Sequence, residues 1–193
     1  MARLSIAKVH VGNKGVNCYV VSCADTRESV VIDPGDDAQK IVSQLTGLGV
    51  KWICFTHAHP GHTGAKDQVK AAAGGLTAMH LADATANLKS ADRYISGGDS
   101  LSFGQVSLEV LATPGHSPGS LSFKVGNHLF TGDTLLPGKV GRVDLPGSNP
   151  QQLLLSLHGQ LLILPDNTIV YPGHGPNTTI GTERVSNPYL RIR

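Results

Sequence analysis

Short apolar runs, separated by glycine, proline and polar clusters, recur along the whole chain and predict β-strands. Valine, isoleucine and tyrosine are enriched in these runs, as is typical of strands. In the first half the predicted strands are residues 4–11, 17–22, 29–32, 51–55 and 76–80. In the second half they are residues 106–112, 120–125, 128–131 and 168–171. The chain is therefore expected to contain sheets of short strands.

Polar segments between these strands predict helices. They are residues 36 or 37 to about 48, 63–73, 82–88, 150–162 and 178–186. Glycines at 49 and 74–75 end the first two of them, and Asp36 or Asp37 can cap the first. In the segment 150–162, the apolar positions at helical spacing are Leu153, Leu154, Leu157 and Leu161. Strands and helices alternate in both halves, which predicts an α/β fold of two sheets packed face to face with helices outside.

The composition predicts one ordinary domain that covers residues 1–193. Of the 193 residues, 40% are hydrophobic, which suffices for a core, and no internal repeat or linker divides the chain. Only 16% are charged and the net charge is +2, which favours neither nucleic acid nor a membrane surface as a partner. We therefore expect a small-molecule substrate; the composition does not indicate an oligomeric state.

The cellular location is predicted from three sequence patterns that are missing: a membrane span, a secretory signal and a disulfide framework. No apolar stretch reaches the roughly 18 residues that a membrane span needs, and the first residues have no secretory apolar core. Three cysteines without CxxC spacing do not make a disulfide framework. A reducing cytoplasm is therefore the expected location.

Residues 56–62, with the sequence THAHPGH, carry three histidines directly after the apolar run 52–55. Neutral imidazole is the commonest protein ligand for zinc and similar metals. Side chains alternate along an extended chain, so His57 and His59 point to the same side, while His62 comes from the first turn of the next element. The spacing can serve one metal ion or two adjacent ions.

Three further ligand-type residues also follow strand-like runs. His116 follows the run 106–112 in the segment TPGHSPG, Asp133 follows 128–131, and His174 follows 168–171 in the segment PGHG. Strand ends that present such side chains to one cleft are how open sheets build sites. We expect these residues to meet the three histidines of residues 56–62.

The ordered motifs T-H-x-H-x-x-H, G-H-S-x-G, G-D-T and P-G-H-G resemble those of the metallo-β-lactamase-fold hydrolases. The resemblance runs from about residue 12 to about residue 190 and implies a four-layer αββα sandwich. The segments 132–136 (GDTLL), 141–144 (GRVD) and 183–190 look most like single-domain type II glyoxalases, the hydroxyacylglutathione hydrolases. Persulfide dioxygenases share the G-R-x-D and N-P features.

The resemblance implies two metal positions. The first would be held by His57, His59 and His116, and the second by His62, Asp133 and His174. Asp133 would bridge the two ions and is the expected catalytic residue. Three neutral histidines and an open position are typical of catalytic zinc, which lowers the pKa of a bound water to about 7. Zinc is the expected cofactor, as one or two ions, with iron and manganese as alternatives.

Gly61 departs from the family pattern T-H-x-H-x-D-H, whose aspartate falls on this position. That carboxylate ordinarily ligates the second metal and bonds the attacking hydroxide, and glycine can do neither. We therefore expect the second metal to be bound weakly and the second position to be partly empty in the purified protein.

Arg142 is the candidate substrate-binding residue. In glutathione-thioester hydrolases a cation at this position touches glutathione, and an aromatic residue follows two positions later. Here that second position is Asp144. An Arg142–Asp144 pair that supports the loop is an equally open interpretation.

Three functions are compatible with these residues. The leading one is hydrolysis of a thioester such as a hydroxyacyl-glutathione, by attack of metal-bound hydroxide. The second is a mononuclear iron persulfide dioxygenase, because two histidines and Asp133 could present one carboxylate and two imidazoles to Fe(II). The third is a divergent metal-binding protein whose catalysis is impaired by Gly61.

Overall fold

The computed structural model describes residues 3–190, and its first sheet has six strands. In chain order these are β1 (Leu4–Val11), β2 (Val16–Cys23), β3 (Glu28–Ile32), β4 (Gly49–Cys54), β5 (Leu76–Met79) and β6 (Arg93–Tyr94). They lie side by side in that same order. The first three strands are antiparallel, whereas β3 to β6 are parallel. The carboxyl ends of β3, β4 and β5 therefore meet at one edge.

A second six-stranded sheet follows in the chain. Its strands are β7 (Ser100–Phe103), β8 (Val106–Ala112), β9 (Leu121–Val125), β10 (His128–Gly132), β13 (Ile169–Pro172) and β14 (Thr178–Thr179), in the spatial order β14-β13-β10-β9-β8-β7. Between β10 and β13 the chain forms a hairpin of β11 (Leu135–Leu136) and β12 (Lys139–Val140). The β10–β13 pair is parallel, so these two strands also end at a common edge.

The helices lie on the outer faces of the two sheets. They are α1 (Ala38–Ser43), α2 (Pro60–Thr63), α3 (Lys66–Ala73), α4 (Leu81–Ala86), α5 (Pro150–Ser156), a π-helical continuation of α5 at Leu157–Leu161, and α6 (Ile180–Ser186). Ile41, Val69 and Ala84 pack on the first sheet, and Leu153 and Ile180 on the second.

Apolar side chains between the sheets form the central core. Val30 and Ile32 of the first sheet pack in one cluster with Phe103, Phe123 and Phe130 of the second. The layers are thus helix, sheet, sheet and helix, and the α/β four-layer sandwich expected from the sequence is confirmed.

Several predicted helices differ from those in the structure. The first covers Ala38–Ser43 and does not continue to residue 48. Asp37 precedes it in a left-handed conformation (φ 49°) and makes no capping bond to the helix. Its carboxylate instead accepts hydrogen bonds from the Gly12 N–H, at 3.1 Å, and from Lys40. The predicted cap was therefore wrong, because a contact with the β1–β2 turn competes for the same oxygen.

The helix predicted at 63–73 is two helices, interrupted at residues 64 and 65. Here the chain packs against the turn after β3, since the Ala65 N–H donates to the carbonyl oxygen of Pro34 at 3.1 Å. In the segment 150–162, Leu154 is exposed and not part of the core. Strands β6 and β7 were not predicted, and residues 178–179 belong to β14 rather than to the last helix. Among the described residues, the structure contains no helix with the length and apolarity needed to cross a bilayer.

Candidate metal centre

The three-histidine segment begins directly after β4, at the edge where the parallel strands end. β4 ends at Cys54, and His59 precedes the short helix α2, whose first residue is Pro60. Proline suits this position because the first N–H groups of a helix have no partner within it. The helix turns the chain, so His62 faces back towards His57, with 4.1 Å between the ring centroids.

His57, His59 and His116 form a first cluster. One nitrogen of each ring lies within 4.8 Å of the others. The ring centroids are 4.7 Å apart for His57 and His59, and 4.9 Å apart for each pair that includes His116. Three imidazoles from two distant segments therefore converge on one point, as the sequence predicts.

Hydrogen bonds on the far side of the rings fix their orientation. The Nδ1 atom of His116 lies 2.9 Å from the carbonyl oxygen of Arg142, which can only accept, so the proton of His116 sits on Nδ1. Its Nε2 lone pair then points to the cluster, where His59 Nδ1 is 3.1 Å away. His57 Nε2 is buried and has no hydrogen-bond partner among the described residues. Such a free lone pair suits a metal ligand.

Burial favours the neutral form of two rings of this cluster, His57 and His59. It lowers the pKa of His57 well below its ordinary value, and the neighbouring His62 lowers it further. Burial also lowers the pKa of His59, with His116 as the next cause. Neutral imidazoles can donate their lone pairs to a cation near neutral pH.

His62, Asp133 and His174 form a second cluster beside the first. Asp133 Oδ1 lies 3.5 Å from His62 Nε2, and Asp133 Oδ2 lies 3.6 Å from His174 Nε2 and 3.7 Å from His116 Nε2. The carboxylate therefore stands between the two clusters, where it can contact ions in both. His62 Nε2 and Asp133 Oδ1 are buried without a hydrogen-bond partner among residues 3–190.

Carboxylates surround His62 on both sides. Its Nδ1 atom lies 3.0 Å from Asp33 Oδ2, and Asp33 also accepts hydrogen bonds from the backbone and hydroxyl of Thr56. Burial disfavours the charged ring, but Asp133 and Asp33 outweigh it and raise the pKa of His62 to about 10. In turn, although burial opposes the change, His62 is the main cause that lowers the pKa of Asp133. A cation that binds His62 Nε2 must therefore displace a proton.

Gly173 leaves the space that a second ion needs. A Cβ atom at this position would lie 2.8 Å from His62 Cε1 and closer still to Asp133 Oδ1. The second cluster thus surrounds a cradle that any larger residue would fill. Together with the unpartnered atoms, this cradle shows that the donor set fits bound metal.

Asn17 is a supporting residue that sequence reasoning missed. Its side-chain amide donates to the carbonyl oxygens of Pro172 and Gly175 at 2.8 and 2.9 Å, and its own N–H donates to Gly173. Asn17 is fully buried in β2 and holds the segment that carries His174. An asparagine within an apolar strand is the one sequence signal that marks this position.

Gly61 has room for a side chain. Apart from the chain neighbours and the backbone of α2, the one atom of residues 3–190 within 4 Å of a Cβ at this position is Val16 Cγ2, at 3.5 Å. Gly61 and Val16 both line the cleft above the two clusters. The absence of a carboxylate at residue 61 is therefore not imposed by packing.

The clusters lie in a cleft with a volume of about 630 Å³. Lys14 and Arg142 are the cations that line it. Arg142 is exposed, and its guanidinium donates two hydrogen bonds, of 2.9 and 3.0 Å, to Asp144. The loop-supporting pair considered in the sequence analysis is thus formed, and Arg142 also lies at the border of the cleft.

The profile of the Metallo-beta-lactamase superfamily matches residues 11–174, a range that includes both clusters. The chain is 38% identical over 204 residues to the probable metallo-hydrolase YqgX of Bacillus subtilis, covering 95% of this chain and 96% of YqgX. It is 32% identical over 202 residues to the hydroxyacylglutathione hydrolase GloC of Haemophilus influenzae, covering 92% and 93%. It is 32% identical over 185 residues to the mitochondrial persulfide dioxygenase ETHE1 of Bos taurus, covering 90% and 71%.

Solved structures resemble the fold over nearly the whole chain. The B3 metallo-beta-lactamase BLEG-1 has a TM-score of 0.88 at 36% identity, covering 96% of this chain and 99% of that one. ETHE1 from Myxococcus xanthus also has a TM-score of 0.88, at 30% identity, covering 95% and 83%. TTHA1623 in a di-iron-bound form has a TM-score of 0.82 at 38% identity, covering 95% and 100%.

Proposed function

The chain belongs to the metallo-beta-lactamase superfamily, and on that premise we propose that it is a metal-dependent hydrolase that cleaves a thioester such as a hydroxyacyl-glutathione. One observation carries the proposal. Three imidazoles and an adjacent His–Asp–His cluster face each other at the floor of one cleft, with buried donor atoms that have no protein partner among the described residues. The relative GloC, a hydroxyacylglutathione hydrolase by name, supports the thioester as substrate.

The metal positions follow from the two clusters. His57, His59 and His116 would hold the first ion, and His62, Asp133 and His174 the second. A bound metal of this kind polarises a carbonyl and lowers the pKa of water to about 7, which provides a nucleophile at neutral pH. We propose zinc, while the di-iron form of TTHA1623 supports iron as the alternative and manganese also suits these donors.

Asp133 is the proposed catalytic residue. Its two carboxylate oxygens lie within 3.7 Å of nitrogens from both clusters, so a water between the clusters is within reach of Oδ2. Asp133 Oδ2 can accept a hydrogen bond from that water and orient its lone pair towards a substrate carbonyl. The low pKa of Asp133 keeps it ionised and able to accept at neutral pH.

The size and the charge of the cleft suit the proposed substrate. Its volume of about 630 Å³ lies within the range of about 300–1,000 Å³ that is usual for small-molecule sites. Glutathione carries carboxylates, and Arg142 and Lys14 are cations at the border of the cleft. We propose that Arg142 binds a substrate carboxylate in exchange for Asp144.

Hydrolysis of S-lactoylglutathione tests this function. The metal-free protein should be inactive, and zinc, iron or manganese should restore saturable cleavage. His116→Ala should lower kcat/KM by at least about 100-fold, because an open three-histidine site loses one ligand. His10→Ala is the matched control, since His10 is exposed on β1, and should leave the rate unchanged. No cleavage with any of the three metals would remove this substrate.

A persulfide dioxygenase is the second candidate function. The relatives named ETHE1 support it, and Asp133 Oδ2 lies 3.7 Å from His116 Nε2, so two histidines and one carboxylate can face one iron. Oxygen uptake with glutathione persulfide, measured on the iron-loaded protein, distinguishes this function from thioester hydrolysis. Since BLEG-1 is described as a B3 metallo-beta-lactamase, a β-lactam belongs in the same substrate panel.

Two expectations from the sequence remain proposals. A single domain over residues 1–193 agrees with the central core that both sheets share. A cytoplasmic location agrees with three free, buried cysteines. The remaining alternative, a metal-binding protein impaired by Gly61, predicts metal binding without turnover of any substrate in the panel.

A further inference from the structure

Asp83 is a fully buried carboxylate that none of the proposed chemical steps uses. It lies on α4, and its side chain accepts three hydrogen bonds. Asp83 Oδ2 accepts from the Ala58 N–H at 2.7 Å and from the Ser117 hydroxyl at 2.9 Å. Asp83 Oδ1 accepts from the Gly119 N–H at 2.6 Å. Hydrogen bonds to a charged acceptor are about twice as strong as those between neutral groups.

These three donors belong to the two segments that carry the first cluster. Ala58 stands between His57 and His59, and Ser117 follows His116 directly. The segments are 25 and 34–36 residues from Asp83 in the chain. One carboxylate therefore joins two loops that are otherwise independent in sequence.

The packing around Asp83 is so close that a shift of this residue would also move the segment that carries His116. A Cβ atom on Gly119 would lie 2.8 Å from the backbone nitrogen of Asp83 and 2.9 Å from its Cβ. Across the same junction, the rings of His59 and His116 approach to 3.1 Å. Metal sites need their donors within about 0.5 Å of the binding geometry, so the spacing between the two loops affects affinity.

We propose that Asp83 is a positioning residue that sets the distance between the His57–His59 segment and His116, and thereby the affinity of the first cluster for metal. The proposal rests on the proposed function, since it requires that this cluster binds metal. The hydrogen bonds to its side chain all come from backbone or hydroxyl donors, so Asp83 supports the histidine segments and is not itself a ligand of the first cluster.

Asp83→Asn tests the proposal with little change in shape. An amide has one acceptor oxygen and one NH₂ group, whereas all three partners of Asp83 are donors. In either orientation, the NH₂ group faces at least one N–H donor, so one of the two loops loses a hydrogen bond to residue 83. We expect zinc affinity for the first equivalent to fall by about 10- to 100-fold, as is typical when the partners of metal ligands are lost.

Asp92→Asn is the matched control. Asp92 also accepts three kinds of hydrogen bond, from the Thr77 N–H, the Thr77 hydroxyl and Lys70, but it joins β5 to the segment before β6 and touches neither cluster. The experiment strips the full-length protein of metal and titrates zinc against a chromophoric chelator. Thermal unfolding of the metal-free proteins and the visible spectrum after cobalt(II) loading are recorded in parallel.

The proposal expects weaker zinc binding and an altered cobalt spectrum for Asp83→Asn only, even where both variants lose similar stability. Equal zinc affinity for Asp83→Asn and the parent, or an equal loss in both variants, would overturn it. If Asp83→Asn does not fold, Ser117→Ala removes the hydroxyl bond to Asp83, together with a bond to Ser120, and keeps the carboxylate. It should cause a smaller, several-fold loss of affinity, and unchanged affinity contradicts the proposal. If the parent binds no zinc, the metal centre itself fails, and the role of Asp83 fails with it.

Discussion

The Nδ1 atom of His116 lies 2.9 Å from the backbone carbonyl oxygen of Arg142. This bond fixes the ring of a proposed metal ligand to the segment that borders the cleft. The side chain of Arg142 takes no part in it and pairs with Asp144 instead. The charge of Arg142 can therefore be removed without removing the support of His116.

Arg142→Ala should weaken substrate binding without slowing the chemical step. A charge-assisted hydrogen bond to a substrate carboxylate is worth about 1.5 kcal/mol, so KM for S-lactoylglutathione should rise about 10-fold, with kcat changed by less than about 2-fold. Steady-state kinetics measures both. Asp144→Ala should lower KM, because it releases the guanidinium from an exposed ion pair that itself contributes only about 0–1 kcal/mol. If neither variant changes KM, Arg142 does not bind the substrate.

Gly173→Ala should remove the second metal position. The added methyl group would fill the cradle between His62 and Asp133, so the weakly held second ion, which the parent takes up in excess zinc, should be lost while the first ion stays. We also expect the free energy of unfolding to fall by about 1–3 kcal/mol, as is usual for overpacking. Elemental analysis and urea unfolding measure the two effects. Gly159→Ala is the control, because outside its own helix no described residue comes within 4 Å of a Cβ there. An equal metal loss in this variant would contradict the interpretation.

Gly61→Asp should raise the metal content. The position has space for a side chain and borders the cleft, and a carboxylate there adds negative charge beside the second cluster. We predict that the parent holds about one tightly bound ion per chain and that this variant holds about two. Gly61→Ala controls for the lost glycine and should behave like the parent. Two tightly held ions in the parent itself would show that the second cluster needs no further ligand.

The stability of the metal-free protein should depend on the protonation of His62. Its folded pKa is raised from 6.5 to about 10, so the stabilisation is fully present below about pH 6.5 and is lost as the pH rises through about 10. The change amounts to at most about 1.4 kcal/mol per pH unit for one group. Urea unfolding of the metal-free parent and of His62→Gln, from about pH 6.5 to 10, measures it. The stability difference between the two should shrink with rising pH, and a constant difference would refute the assignment.

Much of the fold could be predicted because the hydrophobic pattern reports burial. Strand β8 has alternating buried and exposed residues, and its predicted and observed bounds agree at Val106–Ala112. Strands β6 and β7 have two and four residues and lie among glycine and aspartate, so their local pattern resembles a loop. The missing side-chain cap of the first helix likewise depends on a contact of Asp37 with Gly12, which no local pattern contains.

In the candidate site, too, some residues could be predicted from the sequence and others could not. The six clustered side chains could be predicted because metal-binding residue types follow strand-like runs, and their order resembles the motifs of a known family. Their supports could not, because Asp83 and Asn17 act through contacts 25 to 158 residues away. The partner of a buried polar residue can be identified only in the folded chain, because the two residues are far apart in sequence.

The central claim is that His57, His59 and His116 hold a metal ion, and anomalous diffraction tests it most directly. Crystals of the zinc-loaded protein would be measured on both sides of the zinc absorption edge. We predict an anomalous peak about 2.0–2.1 Å from one nitrogen of each of the three rings. A zinc-loaded crystal with no peak among these rings, or with zinc bound only elsewhere, would contradict the account.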